Sequence, residues 1–402
     1  MAAATALARF GLPRRTAGGA AVIHQPITGD DIVRDPGASE AYTVRLLRPV
    51  ELTGADQARW AELSTAAGTA NVFAEHWFMH AALRHAGSAR AAWLAIVQRR
   101  DGGWIGALPL TIQPRFGRWP VANWQTWSAT NQFLGSPLVR PDAAHGFWTA
   151  LLRHLDDHGN GGTLLHCRQF AWDDPACAAL IDVCTASGRG FRLLNRFERA
   201  ARLPNQILAL QGKPRARLRS LARRLNRDHG PVSIDIQTSS ADCERWINDF
   251  LALEQSGWKG RAGSALGCAS QTETLFREVI AQGRKHGQVR LATLATGDRP
   301  LAMSSWFVGG DRGFGFKMAY DEAYRAYAPG LLLMRHVADE IDRHPAMFFD
   351  TCASAGGNCA QQLWGGNRTI FDCAVAVGPP LRRLLFDGLM QARAAYTAIM
   401  PG

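Results

Sequence analysis

No apolar run in this sequence of 402 residues approaches the ~20 consecutive residues a helix needs to span a bilayer. The first 41 residues are rich in Ala, Gly, Pro and Arg, but lack a continuous apolar core of signal-peptide length. They read as a mostly disordered leader, with a processed targeting segment as the alternative, and a cytoplasmic location is expected. No Cys-x-x-Cys pair occurs among the eight cysteines, and a chain this long needs no disulfide staples. The thiols are therefore expected to be buried and reduced, and zinc is not expected. His76 with His80, and His154 with His158, have helical i, i+4 spacing but no third ligand near them in sequence, so they read as helix-face residues rather than a metal site. Acidic residues are in short supply: 34 Asp and Glu face 45 Lys and Arg, a formal net charge of +11.

Hydrophobic residues make up 47% of the chain and charged residues 20%, enough for two or three domains with proper cores. Much of the positive excess lies in Lys213, Arg215, Arg217, Arg219, Arg223, Arg224 and Arg227. Leu218, Leu221 and Leu225 recur among them at helical spacing, so the segment reads as a basic amphipathic helix. It is open to four readings: a solvated linker, a clamp for a phosphorylated ligand, an RNA contact or a patch for an anionic surface. No RNA-reading aromatic motif accompanies it, so specific nucleic-acid recognition is not expected.

The pattern predicts a strand at Thr43–Leu47, helices at Ala55–Ala66 and Glu75–His85, and a hairpin of Ala91–Gln98 with Trp104–Ile112. An irregular tryptophan-rich stretch follows, then a helix at Ala144–His158, a strand at Thr163–Arg168, a helix at Pro175–Ser187 and a strand at Phe191–Arg202. After the basic helix a similar order recurs. It comprises a strand at Val232–Gln237, helices at Ala241–Ser256 and Thr272–Gln282, the hairpin of Gln288–Ala295 with Leu301–Val308, and a strand at Gly313–Ala319. A helix at Pro329–Arg343, a strand at Ala346–Thr351, a short helix at Ala360–Trp364, a strand at Ile370–Val377 and a helix from Leu381 complete it. This order predicts an α/β (mixed α+β) fold with an internal duplication. The expected divisions are a leader (1–41), a first domain (42–204), a basic linker helix (205–230) and a second domain (231–402).

The most telling segment runs from Asp311 to Ala353: strand, basic turn, helix, strand. Pro329 is pre-set for a first helical turn and has no amide hydrogen to leave unpaired. Gly330 lets a ligand approach the backbone, and the free amides at such a helix start favour an anion, typically phosphate. Arg325, Pro329, Gly330 and Leu331 are thus candidate ligands for a phosphorylated cofactor.

In its second half the sequence resembles a GNAT-type acyltransferase domain. A helix there starts at the loop that holds the pyrophosphate of acetyl-CoA, and Arg325 to Gly330 fall on that loop, with a single glycine preceded by proline. The chain is also similar to the CelD-like acetyltransferases associated with cellulose and exopolysaccharide synthesis, themselves related to the Fem-type aminoacyl transferases. The matching segments are Phe73–Phe78, Phe133–Leu138, the basic helix, Leu253–Gly260, Tyr320–Asp321 with Ala328–Gly330, and Phe349–Ala353 with Trp364 and Arg368. The resemblance implies tandem GNAT-like domains, each a mixed, mostly antiparallel sheet flanked by helices. It also implies acetyl-CoA or another acyl-CoA as donor, a saccharide or cell-envelope precursor as acceptor, and no metal. An aminoacyl-tRNA-dependent transferase and a non-catalytic scaffold of polysaccharide synthesis are the alternatives.

Acyl transfer needs a polarised carbonyl, a base for the nucleophile and help for the leaving group. In a GNAT-like fold the strand Gly313–Ala319 would present its amides to the carbonyl, and Gly313 and Gly315 suit close approach. Asp350, Asp321 and Glu254 are the candidate bases, with Asp350 expected to have a raised pKa at a strand end. Each has a structural alternative: Asp350 caps a turn or pairs with Arg368, Asp321 caps its own loop, and Glu254 is an ion-pair partner. Tyr320 or Tyr324 is the candidate proton donor to the leaving group, the alternative being a tyrosine that packs on the sheet. Trp258, Lys259, Trp364 and Arg368 are candidate acceptor contacts. Cys352 could carry an acyl group, but no histidine lies near it in sequence.

Overall fold

A computed structural model describes residues 42–86, 89–158, 162–206, 212–238, 243–353 and 363–399. The leader and most of the short helix expected over Ala360–Trp364 lie outside them. The first half runs β1 (Tyr42–Leu47), α1 (Gly54–Ala66), α2 (His76–His85), β2 (Ala92–Arg99), β3 (Trp104–Gln113), β4 (Asn123–Thr126), β5 (Leu138–Val139), α3 (Ala144–His158), β6 (Leu164–Ala171), α4 (Pro175–Ala186) and β7 (Phe191–Arg202). The basic segment forms α5 (Gly212–His229). The second half runs β8 (Val232–Gln237), α6 (Glu244–Ser256), α7 (Trp258–Arg261), α8 (Ser270–Lys285), β9 (Val289–Thr296), β10 (Arg299–Gly309), β11 (Arg312–Tyr320), α9 (Pro329–Asp342), β12 (Phe348–Asp350), β13 (Gly366–Ala376) and α10 (Pro380–Ile399).

The local signals explain most of these elements. Thr53 and Asp56 form a reciprocal capping box that starts α1, and Gly102, at φ 83°, turns the β2–β3 hairpin. Strand residues alternate between two cores, as their period of two requires. Met303 and Phe307 of β10 face a core shared with α1, α2, α6 and α8. Ala302 and Trp306 face α9 and the two buried leucines of α5, Leu218 and Leu225. In the first half Ala95 and Val97 of β2 meet α3 and α4 on that second side.

The halves share one sheet of 13 strands, in the order β1-β2-β3-β4-β6-β13-β7-β12-β11-β10-β9-β8, with β5 beside β3. The element order of the first half recurs in the second, and each half gives its last strand to the other. Thus β13 pairs with β6, β7 pairs with β12, and the two exchanged strands pair with each other. Arg199 and Arg368 stand directly opposite at that central pairing, an arrangement that repels unless a counter-ion intervenes.

Candidate active site

Strands β11 and β12 run parallel over only three residue pairs, Arg312 with Phe348 to Phe314 with Asp350, and then part. A cavity of about 310 Å³ fills the opening. Met334 and Val337 of α9 line it from one side of the sheet; Leu253, Glu254, Trp258 and Lys259 line it from the other. It is a passage through the sheet. Gly315 stands where the strands separate, and a Cβ there would lie 2.5 Å from the Thr351 carbonyl oxygen. Beyond it, Phe316 is an extra residue on β11, because the register with β10 shifts between Ser305–Lys317 and Trp306–Gly315. The Asp321 amide donates to Leu301 O of β10 at 2.8 Å. Alternation then turns the peptide groups of Tyr320 and Met318 towards the open edge. Accordingly, Lys259 Nζ donates to Met318 O at 3.1 Å.

On the α9 side, Ala328 adopts a left-handed conformation (φ 51°, ψ 52°) as the helix N-cap and has no side chain to cap with. Pro329 lacks an amide hydrogen, so Gly330, which is buried, and Leu331, which is half-buried, carry the first amides of the helix. A Cβ on Gly330 would sit 3.5 Å from the Tyr320 ring, an ordinary contact. The protein itself therefore does not demand glycine there. Arg325 is exposed on the 3-10 turn Glu322–Tyr327 that leads into α9.

On the other side, α6 ends at Ser256 and α7 folds back on it. A Cβ at Gly260 would fall 1.8 Å from Gln255 O, so only glycine permits this corner. The corner returns Lys259 to Glu254, with Nζ donating to Oε1 at 2.7 Å, while the Leu266 amide donates to Oε2 at 2.8 Å. Glu322 holds the corner in place, accepting from the Trp258 amide at 2.8 Å and from Arg261 at 2.6 Å. Trp258, 54% exposed, stands at the mouth. Lys317 also lines the cavity and donates to Asn131 Oδ1 of the first half at 2.5 Å. Burial, aided by the nearby Lys259 charge and opposed by Glu254, pushes its amine down to about 8. Ser305, opposite Lys317 on β10, lines the cavity with a buried hydroxyl that has no hydrogen-bond partner among the described residues.

The structure thus brings together Glu254, Trp258, Lys259, Gly315 and Tyr320 around the cavity, with Pro329, Gly330 and Leu331 at the start of α9. It separates the others. Asp350 is fully buried: its Oδ2 accepts from Arg199 at 2.5 Å and Arg368 at 2.8 Å, and its Oδ1 from the Cys352 amide at 2.9 Å. Burial alone would raise its pKa, but the two guanidiniums outweigh that and hold it below the ordinary carboxylate value. The expected raised pKa is therefore corrected, and with it the role of base. Asp350 is the counter-ion that lets Arg199 and Arg368 face each other. Arg368 also donates to Asp173 at 2.8 Å and is buried, so it is a structural arginine rather than an acceptor contact. Trp364 packs in the core against Phe349, with ring centroids 5.2 Å apart, and is likewise no acceptor contact. Asp321 caps the 3-10 turn through the Ala323 amide at 2.9 Å and accepts from Arg299 at 2.7 Å, outside the cavity lining. Gly313 lies in the paired part of β11, between Val308 and Phe349. A Cβ there would meet the Phe349 ring at 2.5 Å, so its role is packing. Cys352 lines the cavity, but burial, and after it the neighbouring Asp350 carboxylate, pushes its thiol well above its usual range and disfavours the thiolate a nucleophile needs.

In the first half the corresponding opening, between β4 and β6, is filled by the chain itself. Trp127 N donates to Pro109 O, Gly135 N to Gln169 O, and Ala171 N to Ser136 Oγ. A Cβ at Gly135 would fall 2.2 Å from Arg168 O, which fixes glycine there. Among the described residues, no group of three or more His, Cys, Asp or Glu side chains could hold a metal ion, and no helix is long and apolar enough to cross a membrane.

A splayed strand pair, a bulged strand with an open edge and an uncapped helix start frame the cavity in the second half. Residues 212–357 match the family described as acetyltransferase (GNAT) domain. The protein is an acyltransferase, and its fold is similar to those of several solved structures. FemX superposes with a TM-score of 0.55 at 10% identity, covering 85% of this chain and 99% of its own. A conserved protein of unknown function from Bacteroides thetaiotaomicron gives 0.53 at 10% identity, covering 83% and 100%. The C-terminal domain of a provisionally assigned lysylphosphatidylglycerol synthetase from Agrobacterium fabrum gives 0.51 at 12% identity, covering 83% and 96%. At these identities the likeness is one of fold. No curated protein matches the chain.

Proposed function

We propose that the protein, a cytoplasmic enzyme of the CelD-like type, transfers an acyl group from acetyl-CoA or another acyl-CoA to an amine or hydroxyl of a saccharide or envelope precursor. The observation that carries this reading is the passage through the sheet. The donor's phosphates meet the open amides of Gly330 and Leu331, with Arg325 beside them. The acyl carbonyl lies along the open edge of β11, where the Met318 amide polarises it. The acceptor arrives on the Trp258 side, with Trp258 as a stacking surface for a sugar ring. Lys317, part of it neutral near pH 7, takes the proton from the attacking group. The Tyr320 hydroxyl returns a proton to the leaving thiolate. Glu254 keeps Lys259 in place.

Calorimetry with acetyl-CoA, followed by transfer of labelled acetyl to a panel of amino sugars and their nucleotide derivatives, tests this. Binding without transfer to any sugar would remove the saccharide, and absence of binding by every acyl-CoA would remove the donor. A second donor reading, an aminoacyl-tRNA, is favoured by one observation. The basic α5 abuts the turn leading into α9, where Asp228 and His229 both bond the Tyr327 hydroxyl at 3.1 Å. If the donor is instead short, the exposed arginines of α5 are free to meet an anionic surface.

Gly330→Ala separates fold from function. The methyl fits against Tyr320 and the helix gains from losing glycine, so the melting temperature should hold or rise. Acetyl-CoA affinity should fall about ten-fold, roughly 1.4 kcal/mol by calorimetry. Unchanged affinity would move the phosphates away from this helix start.

A further inference from the structure

The geometry points to Asn131, a residue of the first half, as the group that positions Lys317 in the second half's active site. This deepens the reading of Lys317 as proton acceptor and rests on it.

Asn131 belongs to the segment that fills the first half's own opening, and its backbone is left-handed at φ 69°. Two residues on, Phe133 O accepts from Arg199 at 2.9 Å, so the segment is tied to the central ion cluster. Its side chain then reaches across to Lys317 Nζ at 2.5 Å. Among the described residues, the groups that face this amine are few. Lys259 on α7 and Glu254 on α6 carry charge, and they pair with each other at 2.7 Å. Ser305 is its register partner on β10, and the rings of Phe133 and Phe316 lie 5.6 and 5.9 Å away. The amide oxygen of Asn131 can only accept. It therefore engages one N–H of Lys317 in either protonation state and turns the remaining valences, among them the lone pair of the neutral amine, towards the cavity. A neutral amide does this without adding charge. A carboxylate in its place would also hold the amine, but would lock it as an ammonium.

Two substitutions keep the left-handed backbone, because Asp and Gly both tolerate it. Trace labelling of the full chain with acetic anhydride, followed by peptide mass spectrometry across pH, reads how much of the Lys317 amine is neutral. Asn131→Asp should move the labelling midpoint of Lys317 upward by about one pH unit or more, through the new opposite charge. Asn131→Gly should move it downward, because the bond that favours the ammonium is lost. Identical midpoints in both variants and the wild-type protein, with unchanged melting temperatures, would overturn the positioning role. If a variant unfolds, the other still reads the midpoint. The labelling reads the amine itself, so this result is separate from whether Lys317→Ala abolishes acyl transfer. A shifted midpoint with transfer intact in Lys317→Ala would uphold the contact and reject the proton-acceptor reading.

Discussion

Asp350→Asn is expected to destabilise the protein by about 3–5 kcal/mol while leaving turnover per folded molecule within about two-fold of wild type. The substitution keeps the side chain's size but removes the charge that lets Arg199 and Arg368 stand opposite one another on β7 and β13. Two buried guanidiniums then share a neutral amide, with Asp173 left to answer Arg368 alone. Because the folded pKa of Asp350 is depressed, its contribution is fully present above the unfolded value of ~3.9 and is lost as pH falls through the lower folded value. The gap between wild type and Asp350→Asn, measured by chemical denaturation, should therefore be widest near neutral pH and close below about pH 4. A large fall in turnover without a fall in stability would return Asp350 to the site.

Lys317→Ala should reverse that pattern. Turnover should drop roughly 10²–10⁴-fold, the usual cost of losing a positioned proton acceptor. Stability should change little, because a partly desolvated ammonium leaves with the side chain. Wild-type turnover should rise with pH through about 8, where the neutral amine becomes the major form. At pH 7 about one molecule in ten carries it in the reactive state. Lys317→Arg keeps a charge but, never deprotonating, should be as inactive as alanine. Activity surviving in Lys317→Arg would make the group an electrostatic aid rather than a base.

The sequence made the scaffold of this site readable because its signals are local. Pro329–Gly330 announced a helix start, the Glu254–Gly260 run held both ends of the α6–α7 corner, and the alternating residues of β11 marked a strand. What it hid was partnership across the sheet. Asp350 at a strand end is indistinguishable, in sequence, from a carboxylate at a cleft; Arg199, its short-range partner, lies 151 residues away. Trp364 and Arg368 carry part of the resemblance, yet Trp364 packs on Phe349 in the core and Arg368 joins the buried ion cluster where β13 meets β7. Lys317 was not among the candidates, although it is the lone charge in the run Gly313–Ala319, and the bulge at Phe316 that sets its direction has no sequence signal. Its partner Asn131 lies in the irregular tryptophan-rich stretch, where no periodicity tells which way a side chain points.

The reciprocal loan of final strands has a consequence for how the molecule is made. While a ribosome is still synthesising the second half, the first half has β6 and β7 with nothing between them. It must wait, with an unpaired edge exposed, until Gly366–Ala376 emerges. Neither half expressed alone can complete its sheet. Yet two separately produced halves hold complementary gaps, so mixing them should restore one working molecule from two fragments.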